Sequence, residues 1–454
     1  MKLFEQLFVE REQKSPLRIE LLERFFHIEE RGSNLLREIK CGILNFFVLC
    51  YLMLAVPGNL AQSGFDQNSA ITAACLCTGL ACIGLAFFAK VPFVIGPGLS
   101  CSSLLSFRIC QDYGFSWQES LALVFLSGLL FLLLACSPLR QRLQDVIPMP
   151  LKFALSAGLG LYISLSALLS SGLIQVEEGL LRVGGIVSLG GLLALLGIFL
   201  TVFLLIKHLP GASMISILFI TLLCVLLKLV PVPGKFTAVP DLSASFFALD
   251  FGALFAKGLP KLFSALLSLV IANFVGSAVA LQGIAGDAGL TDSVGDFYGQ
   301  KRSLQVAAVS TSFAAFFGLS NLTVLPESAV GLREGARTGL CPLVTGILFL
   351  LAIPFSPLLG IFSGIATASV VILCGMMMMP GISQIRWKHV ESSLPCFLII
   401  IGIPATFSLV NGMALGCISY VFLMLFRKRG AVVDPWLYAL SAVFILDILL
   451  RTLL

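Results

Sequence analysis

The sequence predicts an all-α polytopic membrane protein of about fourteen transmembrane segments in a 7+7 inverted repeat, and three observations carry that prediction. The chain of 454 residues is 58% apolar and 12% charged, with a mean hydropathy of +1.02, whereas a soluble domain is roughly a quarter charged. Uncharged stretches of about 18 to 22 residues recur, the length that crosses roughly 30 Å of hydrocarbon at about 1.5 Å per residue. The stretches form two series, and the third member of each is broken by a proline in mid-segment, Pro97 and Pro326.

Apolar runs read against glycine, proline and charge give spans near 41–62, 70–89, 91–107, 118–137, 151–171, 184–206 and 212–230. After a polar stretch, a second series follows near 260–285, 303–319, 322–338, 342–360, 362–380, 394–410 and 411–426. Seven spans per series place the two halves in opposite orientations, which is what an inverted repeat requires. The segment 1–40 mixes basic and acidic residues with no apolar core before a cleavage site, so it reads as a retained cytoplasmic segment rather than a secretory signal. Within it, Leu21, Leu22, Phe25 and Phe26 beside Glu20, Glu23 and Arg24 suit an amphipathic helix at the membrane surface, with a solvated tail as the alternative. The last apolar stretch, 436–454, carries Asp447 and Arg451 four residues apart and reads as a surface or packed hydrophobic helix, with a fifteenth crossing as the alternative.

If residue 1 is cytoplasmic, the cytoplasmic connections collect fourteen Lys and Arg, from Lys90 to Arg429, whereas the outer ones hold Arg108, Arg182, Lys228, Lys235, Lys257 and Lys261. This bias places both termini inside a cell (inner) membrane. The formal charge of +5 is scattered and leaves no basic stripe for nucleic acid. The thirteen cysteines sit mostly inside apolar runs without regular spacing, which suits free thiols used for packing.

Proline removes a ladder donor and favours the first turn of a new helix. The runs Lys90-Val-Pro-Phe-Val-Ile-Gly-Pro-Gly-Leu-Ser and Leu319-Ser-Asn-Leu-Thr-Val-Leu-Pro-Glu-Ser therefore predict a short extended piece followed by a half-helix, with its positive end near the bilayer midplane. Directly after Pro326 stands Glu327, an acid inside a predicted span. An ionised carboxylate there costs about 2.5 to 3.5 kcal/mol even on lenient insertion scales, so it calls for a partner, a cavity or a proton. A helix N-terminus favours its anionic form and a dry wall its protonated form, which suits a group that titrates as solute binds. A capping glutamate without a transport role is the alternative. In the eighth span Asn273 and Ser277 lie one turn apart with Gly276 between them, a face that can hydrogen-bond a planar polar ligand or glue helices together. Ser100, Ser102 and Ser103 after Pro97 carry the same two readings.

His27, His208 and His389 are isolated, and no nucleotide-binding loop or paired metal-ligand set appears, so the sequence predicts no enzyme, no metal and no cofactor.

Several runs, in order, resemble the nucleobase/cation symporters, nearest to the adenine, guanine and hypoxanthine permeases of the azaguanine-resistance type. They are Leu22-Glu-Arg-Phe-Phe-His-Ile-Glu-Glu-Arg-Gly-Ser, Gly96-Pro-Gly-Leu, Tyr113-Gly-Phe-Ser-Trp-Gln, Ile147-Pro-Met-Pro-Leu-Lys, Pro326-Glu-Ser-Ala-Val-Gly and Gly335-Ala-Arg-Thr-Gly-Leu. The resemblance implies a core domain, 41–137 with 260–360, and a gate domain, 151–230 with 362–426, with short strands in spans 3 and 10. It implies secondary active, proton-coupled uptake of a purine nucleobase by elevator-like alternating access. The implied substrate site comprises Glu327, Asn273, Ser277, Gly98, Ser100, Ser102, Pro326, Ser328 and Tyr51, with Glu327 also the proton-coupling group. Implied partners are the base, protons and the lipid bilayer; a homodimer is left open. Three positions depart from the pattern: Asn273 replaces an acid, and Val56 and Ser102 each replace an asparagine. An amide can donate and accept but takes up no proton at ordinary pH. A carrier of another small metabolite or anion on the same fold, or a passive carrier, is the alternative.

Overall fold

The computed structural model describes residues 20–177, 180–185, 188–207, 209, 212–230, 237, 239–256, 258–287, 290, 297–359 and 361–453. Residues 1–19, His208, Lys235, Lys257 and the side chain of Arg451 lie outside what it describes. The first half begins with a short helix α1 (Glu20–Phe26), then α2 (Leu35–Leu49), α3 (Leu52–Ala61) and α4 (Gln67–Phe88). Strand β1 (Ile95–Pro97) leads into α5 (Leu99–Ser103), which continues as a wider π-helical stretch Leu104–Asp112. There follow α6 (Trp117–Cys136), α7 (Leu139–Val146), α8 (Met149–Ser170), the hairpin β2 (Ile174–Glu177) and β3 (Leu180–Val183), α9 (Leu189–Ile206) and α10 (Ala212–Leu226).

The second half comprises α11 (Phe251–Ala256), α12 (Leu259–Asp287), α13 (Gln300–Phe316) and β4 (Leu322–Val324). A tight turn Pro326–Ser328 opens α14 (Ala329–Arg333). Then come α15 (Leu340–Ala352), α16 (Ser356–Leu359), α17 (Gly364–Met377), α18 (Val390–Thr406), α19 (Leu409–Phe426) and α20 (Pro435–Leu453). Eight of the described helices are long and apolar enough to cross a membrane. The shorter apolar α10, α15 and α18, the more polar α13 and the two broken segments complete the fourteen.

The packing repeats itself between the halves. Helix α6 lies on α13 as α15 lies on α4, and α9 packs on α17 as α18 packs on α8. The segments at the interrupted positions meet each other as β1 and β4. Small residues set these crossings, because helices in lipid gain stability by close approach of backbones. A Cβ at Gly346 would come 2.7 Å from the carbonyl oxygen of Gly79, so α4 and α15 touch where neither has a side chain. All thirteen cysteines are free and most are buried, which agrees with a packing role.

Three details differ from the sequence reading. The sixth span begins at Leu189 rather than 184, because Ser188 caps the helix, its Oγ accepting from the Gly191 N–H at 3.1 Å, after the antiparallel strands β2 and β3. Helix α1 does not offer its whole apolar face to lipid: Phe26 is buried against Ala86 and Leu340. The third concerns α20. Its start lies by the connection 427–434, where the Tyr438 hydroxyl donates to the Gly430 carbonyl at 3.1 Å, and Leu440 shares a crevice with Leu134, Ile147 and Lys152. Further along, Asp447 accepts from Ser264 at 2.8 Å and Ser268 at 3.3 Å, and Ser264 in turn bonds Tyr113. Helix α6 separates Tyr113 from the 137–148 connection, so α20 runs antiparallel to α12 from one face of the bundle to the other. Its 19 residues reach about 28 Å at about 1.5 Å per residue. By contrast α1 lies on the 137–148 side, where Lys90 Nζ donates to the Phe25 carbonyl at 3.0 Å. These contacts make α20 a helix packed on α12 rather than a surface helix, and a run of that length raises the expectation of a fifteenth crossing.

In a Cys136→Ser background, a cysteine replacing Lys428 and one appended after Leu454 are expected to react with a membrane-impermeant maleimide from opposite sides of the membrane. Labelling of both from the same side would contradict a crossing α20.

Candidate functional site

Backbone in the interior of a lipid-embedded bundle must find its hydrogen bonds within the protein. The two interrupted segments solve this together. Strands β1 and β4 pair antiparallel, Ile95 opposite Val324, Gly96 opposite Thr323 and Pro97 opposite Leu322. The ladder extends at both ends, with Leu325 N–H donating to the Val94 carbonyl at 2.9 Å and Gly98 N–H to the Asn321 carbonyl at 3.3 Å. Pro97 lacks an N–H, which removes one ladder donor at the point where the chain turns into α5. A Cβ on Gly98 would come 2.9 Å from Thr323 Oγ1, so only glycine lets the two strands close there.

Each strand delivers a half-helix whose first turn opens on one small cavity. Gly98, Leu99, Ser100 and Cys101 line it from the first segment, and Thr323 to Glu327 from the second. Tyr51 and Leu52 come from the break between α2 and α3, Ala272 and Gly276 from α12. The opposite wall is α8, through Leu159, Tyr162, Ile163 and Ser166, with Leu409 of α19. The cavity leaves about 50 Å³ to the centres of water molecules, room for about three waters at about 10 to 15 Å³ each.

Glu327 is 5% exposed. Its Oε1 accepts from the Tyr51 hydroxyl at 2.9 Å, while Oε2 has no partner among the described residues. A buried acceptor left unsatisfied costs about 1 to 3 kcal/mol, and more when it is charged. This carboxyl group therefore has capacity for a donor supplied from the cavity.

The predicted site residues divide into two sets. Tyr51, Gly98, Ser100, Pro326 and Glu327 line the cavity. Asn273, Ser277, Ser102 and Ser328 stand just behind its wall. Ser277 Oγ accepts from the Val324 N–H at 3.4 Å and fixes β4 to α12. Ser328 donates to the Leu325 carbonyl at 2.6 Å, closing the first turn after Pro326. Ser102 donates to the Leu99 carbonyl at 2.8 Å and faces Asn59 of α3. Asn273, next to the cavity-lining Ala272, is fully buried, with Oδ1 at 3.8 Å from the Cys101 thiol and Nδ2 without a partner among the described residues. The sequence reading missed Tyr162 and Ser166. Their signal was a phenol and a hydroxyl four residues apart, hence on one face, in a span that also carries Ser156 and Ser164.

Residues 36–415 match the sequence pattern of the Permease family, Xan_ur_permease. The chain is 30% identical to the adenine permease AdeP of Escherichia coli (strain K12) over 429 residues, covering 94% of this chain and 96% of that one. It is 33% identical to the guanine/hypoxanthine permease PbuG of Bacillus subtilis (strain 168), covering 94% of this chain and 99% of that one. The fold is similar to the transmembrane domain of a cyanobacterium bicarbonate transporter, BicA, with a TM-score of 0.58 at 15% identity, covering 84% of this chain and 97% of that one.

Replacing Tyr51 by Phe leaves Oε1 of Glu327 without its donor. The expected loss is about 1 to 3 kcal/mol, read as a lower thermal midpoint of the purified protein. A double-mutant cycle with Glu327→Gln is expected to show coupling; strictly additive effects would contradict the bond.

Proposed function

Because this chain belongs to the permease family, we propose that it is a secondary transporter that takes up a purine nucleobase, with the cavity between the two half-helices as its binding site. The observation that carries this reading is the Tyr51–Glu327 pair, which leaves the second carboxyl oxygen without a partner among the described residues in the wall of a cavity where Ser100, Tyr162, Ser166 and Thr323 stand among apolar side chains. A purine edge presents N–H donors beside ring-nitrogen acceptors, and a carboxyl group beside side-chain hydroxyls can answer both. The names of the relatives AdeP and PbuG, adenine and guanine/hypoxanthine permeases, support the same solute class.

Glu327 also serves as the coupling group. The described residues hold no other acid at the cavity, since Asn273 occupies the position of the acid that the resembling permeases carry in span 8. A carboxyl that is neutral in one form of the carrier and anionic in another moves one proton per cycle. Coupled uptake then follows from binding base and proton together.

The cavity as it stands holds only a few waters, so a whole base enters only when its two walls separate. The walls fall on different helix groups. One is the core of α2–α6 and α12–α16, which holds both half-helices; the other is the gate of α8–α10 and α17–α19, which supplies Tyr162 and Leu409. Sliding of one group against the other gives the elevator-like step. The basic residues put the 137–148 face in the cytoplasm of a cell whose membrane carries the protein.

Cells expressing the chain are expected to accumulate radiolabelled hypoxanthine, adenine or guanine, with mutual competition among bases but not nucleosides or bicarbonate. A protonophore and Glu327→Gln are each expected to reduce uptake to background. Normal accumulation by Glu327→Gln would remove Glu327 from the coupling step, and competition by bicarbonate alone would replace the purine reading. Asn273→Asp restores a carboxyl beside Cys101 and is expected to shift the pH profile of uptake; an unchanged profile and base preference in a competent carrier would place Asn273 outside the site.

A further inference from the structure

We infer that the first crossing is an alignment rail for the half-helix that carries Glu327, and that Asn45 and Glu38, both remote from the cavity, are positioning residues for the site. This inference rests on the transport reading for its consequence but not for its geometry.

Three polar side chains on α2 and its C-terminal break meet three successive points of the span-10 segment, which runs antiparallel to them. At the cavity Tyr51 holds Glu327 at 2.9 Å. One step down, Asn45 Oδ1 accepts from the Gly331 N–H at 3.1 Å, and its Nδ2 donates to the Cys341 thiol at 3.4 Å. At the far end Glu38 Oε1 accepts from the backbone N–H groups of Arg337 at 2.7 Å and Thr338 at 3.2 Å. Asn45 and Glu38 are fully buried. Such polar groups inside an apolar bundle are retained only where they are bonded, so their presence points to a positional task.

The spacing makes the rail continuous. Residues 38 and 45 are seven apart, close to two turns at about 3.6 residues per turn, and so share a face. Residues 45 and 51 are six apart, which by itself would turn Tyr51 away. The backbone tightens as it reaches Tyr51: the Cys50 N–H reaches back three residues to Phe47, and the N–H groups of Met53 and Leu54 do the same to Cys50 and Tyr51 just beyond. A turn of that kind advances about 20° more per residue than an α-helix and swings Tyr51 back toward span 10. The half-helix is fitted to the rail in return. A Cβ on Gly331 would lie 2.7 Å from Asn45 Nδ2, so that position admits no side chain while Asn45 is bonded there. Arg337 closes the end of the segment by donating through Nη1 to the carbonyls of Leu332 at 2.9 Å and Ala336 at 2.7 Å.

The other half of the same crossing treats the other half-helix similarly. Asn59 Nδ2 donates to Ser103 Oγ at 3.2 Å, and Ser63 Oγ donates to the Ser106 carbonyl at 3.0 Å. One crossing therefore registers both halves of the site, and displacement of either contact pattern displaces Glu327 relative to Ser100.

The test uses the full chain with Cys50→Ser and Cys374→Ser, carrying Tyr51→Cys and Glu327→Cys, so that the rail alone aligns the two positions. With Cys101 also replaced by serine, a bis-maleimide with a short spacer, which spans the gap that the native phenol and carboxyl side chains fill, is expected to link 51 to 327 readily. Asn45→Ala is expected to slow the linking about tenfold, the equivalent of about 1.4 kcal/mol, and Asn45→Asp, which keeps the acceptor for the Gly331 N–H, to restore it. Equal rates in all three would overturn the inference. In the native background, Asn45→Ala is expected to raise KM for base uptake about tenfold at unchanged uptake rate per folded carrier, with Asn45→Asp within about threefold of the parent. A fall in carrier amount with KM unchanged would reduce Asn45 to a folding role and overturn the inference too. Absence of purine uptake by the parent chain, with the linking rates still responding to residue 45, would sink the transport reading and leave the rail intact.

Discussion

The structure depends on the pairing of two short strands where backbone has no water to turn to. An interrupted helix in a membrane leaves N–H and carbonyl groups without partners, and each such group costs several kcal/mol in hydrocarbon. Here two interruptions meet, and each satisfies the other through the ladder of 95–97 with 322–324. Neither break is stable alone, which is why the two halves of the chain must fold onto one another rather than stand as separate bundles. The same pairing fixes where the half-helices begin, and therefore where the cavity lies.

That constraint accounts for the distribution of polar residues. Some of the buried polar residues, such as Asn45, Ser277 and Asn321, bond the broken segments or the helices beside them. Elsewhere, crossings are set by glycine and by small side chains, as at Gly79 with Gly346. Among the described residues the cavity is lined on one side by the two half-helices, Tyr51, Leu52 and α12, and on the other by α8 and the start of α19.

Much of this was legible in the sequence, for physical reasons that can be named. Span positions followed from apolar length, and the breaks from Pro97 and Pro326, because a proline cannot continue a helix ladder. Glu327 was legible because an acid in lipid demands an explanation. Three features were not. The hairpin of β2 and β3 exposes Val176, Leu180, Leu181 and Val183, so no buried face marks it in the sequence. Helix α20 carries Asp447, which argued against a crossing until Ser264 and Ser268 supplied its partners. Tyr162 and Ser166 gave a helical pair without an anchor, since which face of α8 meets the half-helices is decided by tertiary packing. Ser102, Ser328, Asn273 and Ser277 were legible as polar residues near the site, but whether each lines the cavity or braces its wall turns on a rotation of one residue, and only coordinates fix that.

The central claim is that a base binds where the two half-helices begin, against the free oxygen of Glu327. A structure of the protein determined with hypoxanthine bound tests it most directly. The account predicts the purine between β4 and α8, with a ring or exocyclic nitrogen roughly 3 Å from Glu327 Oε2. A base bound elsewhere, or Glu327 turned toward lipid acyl chains with the cavity closed, would contradict it.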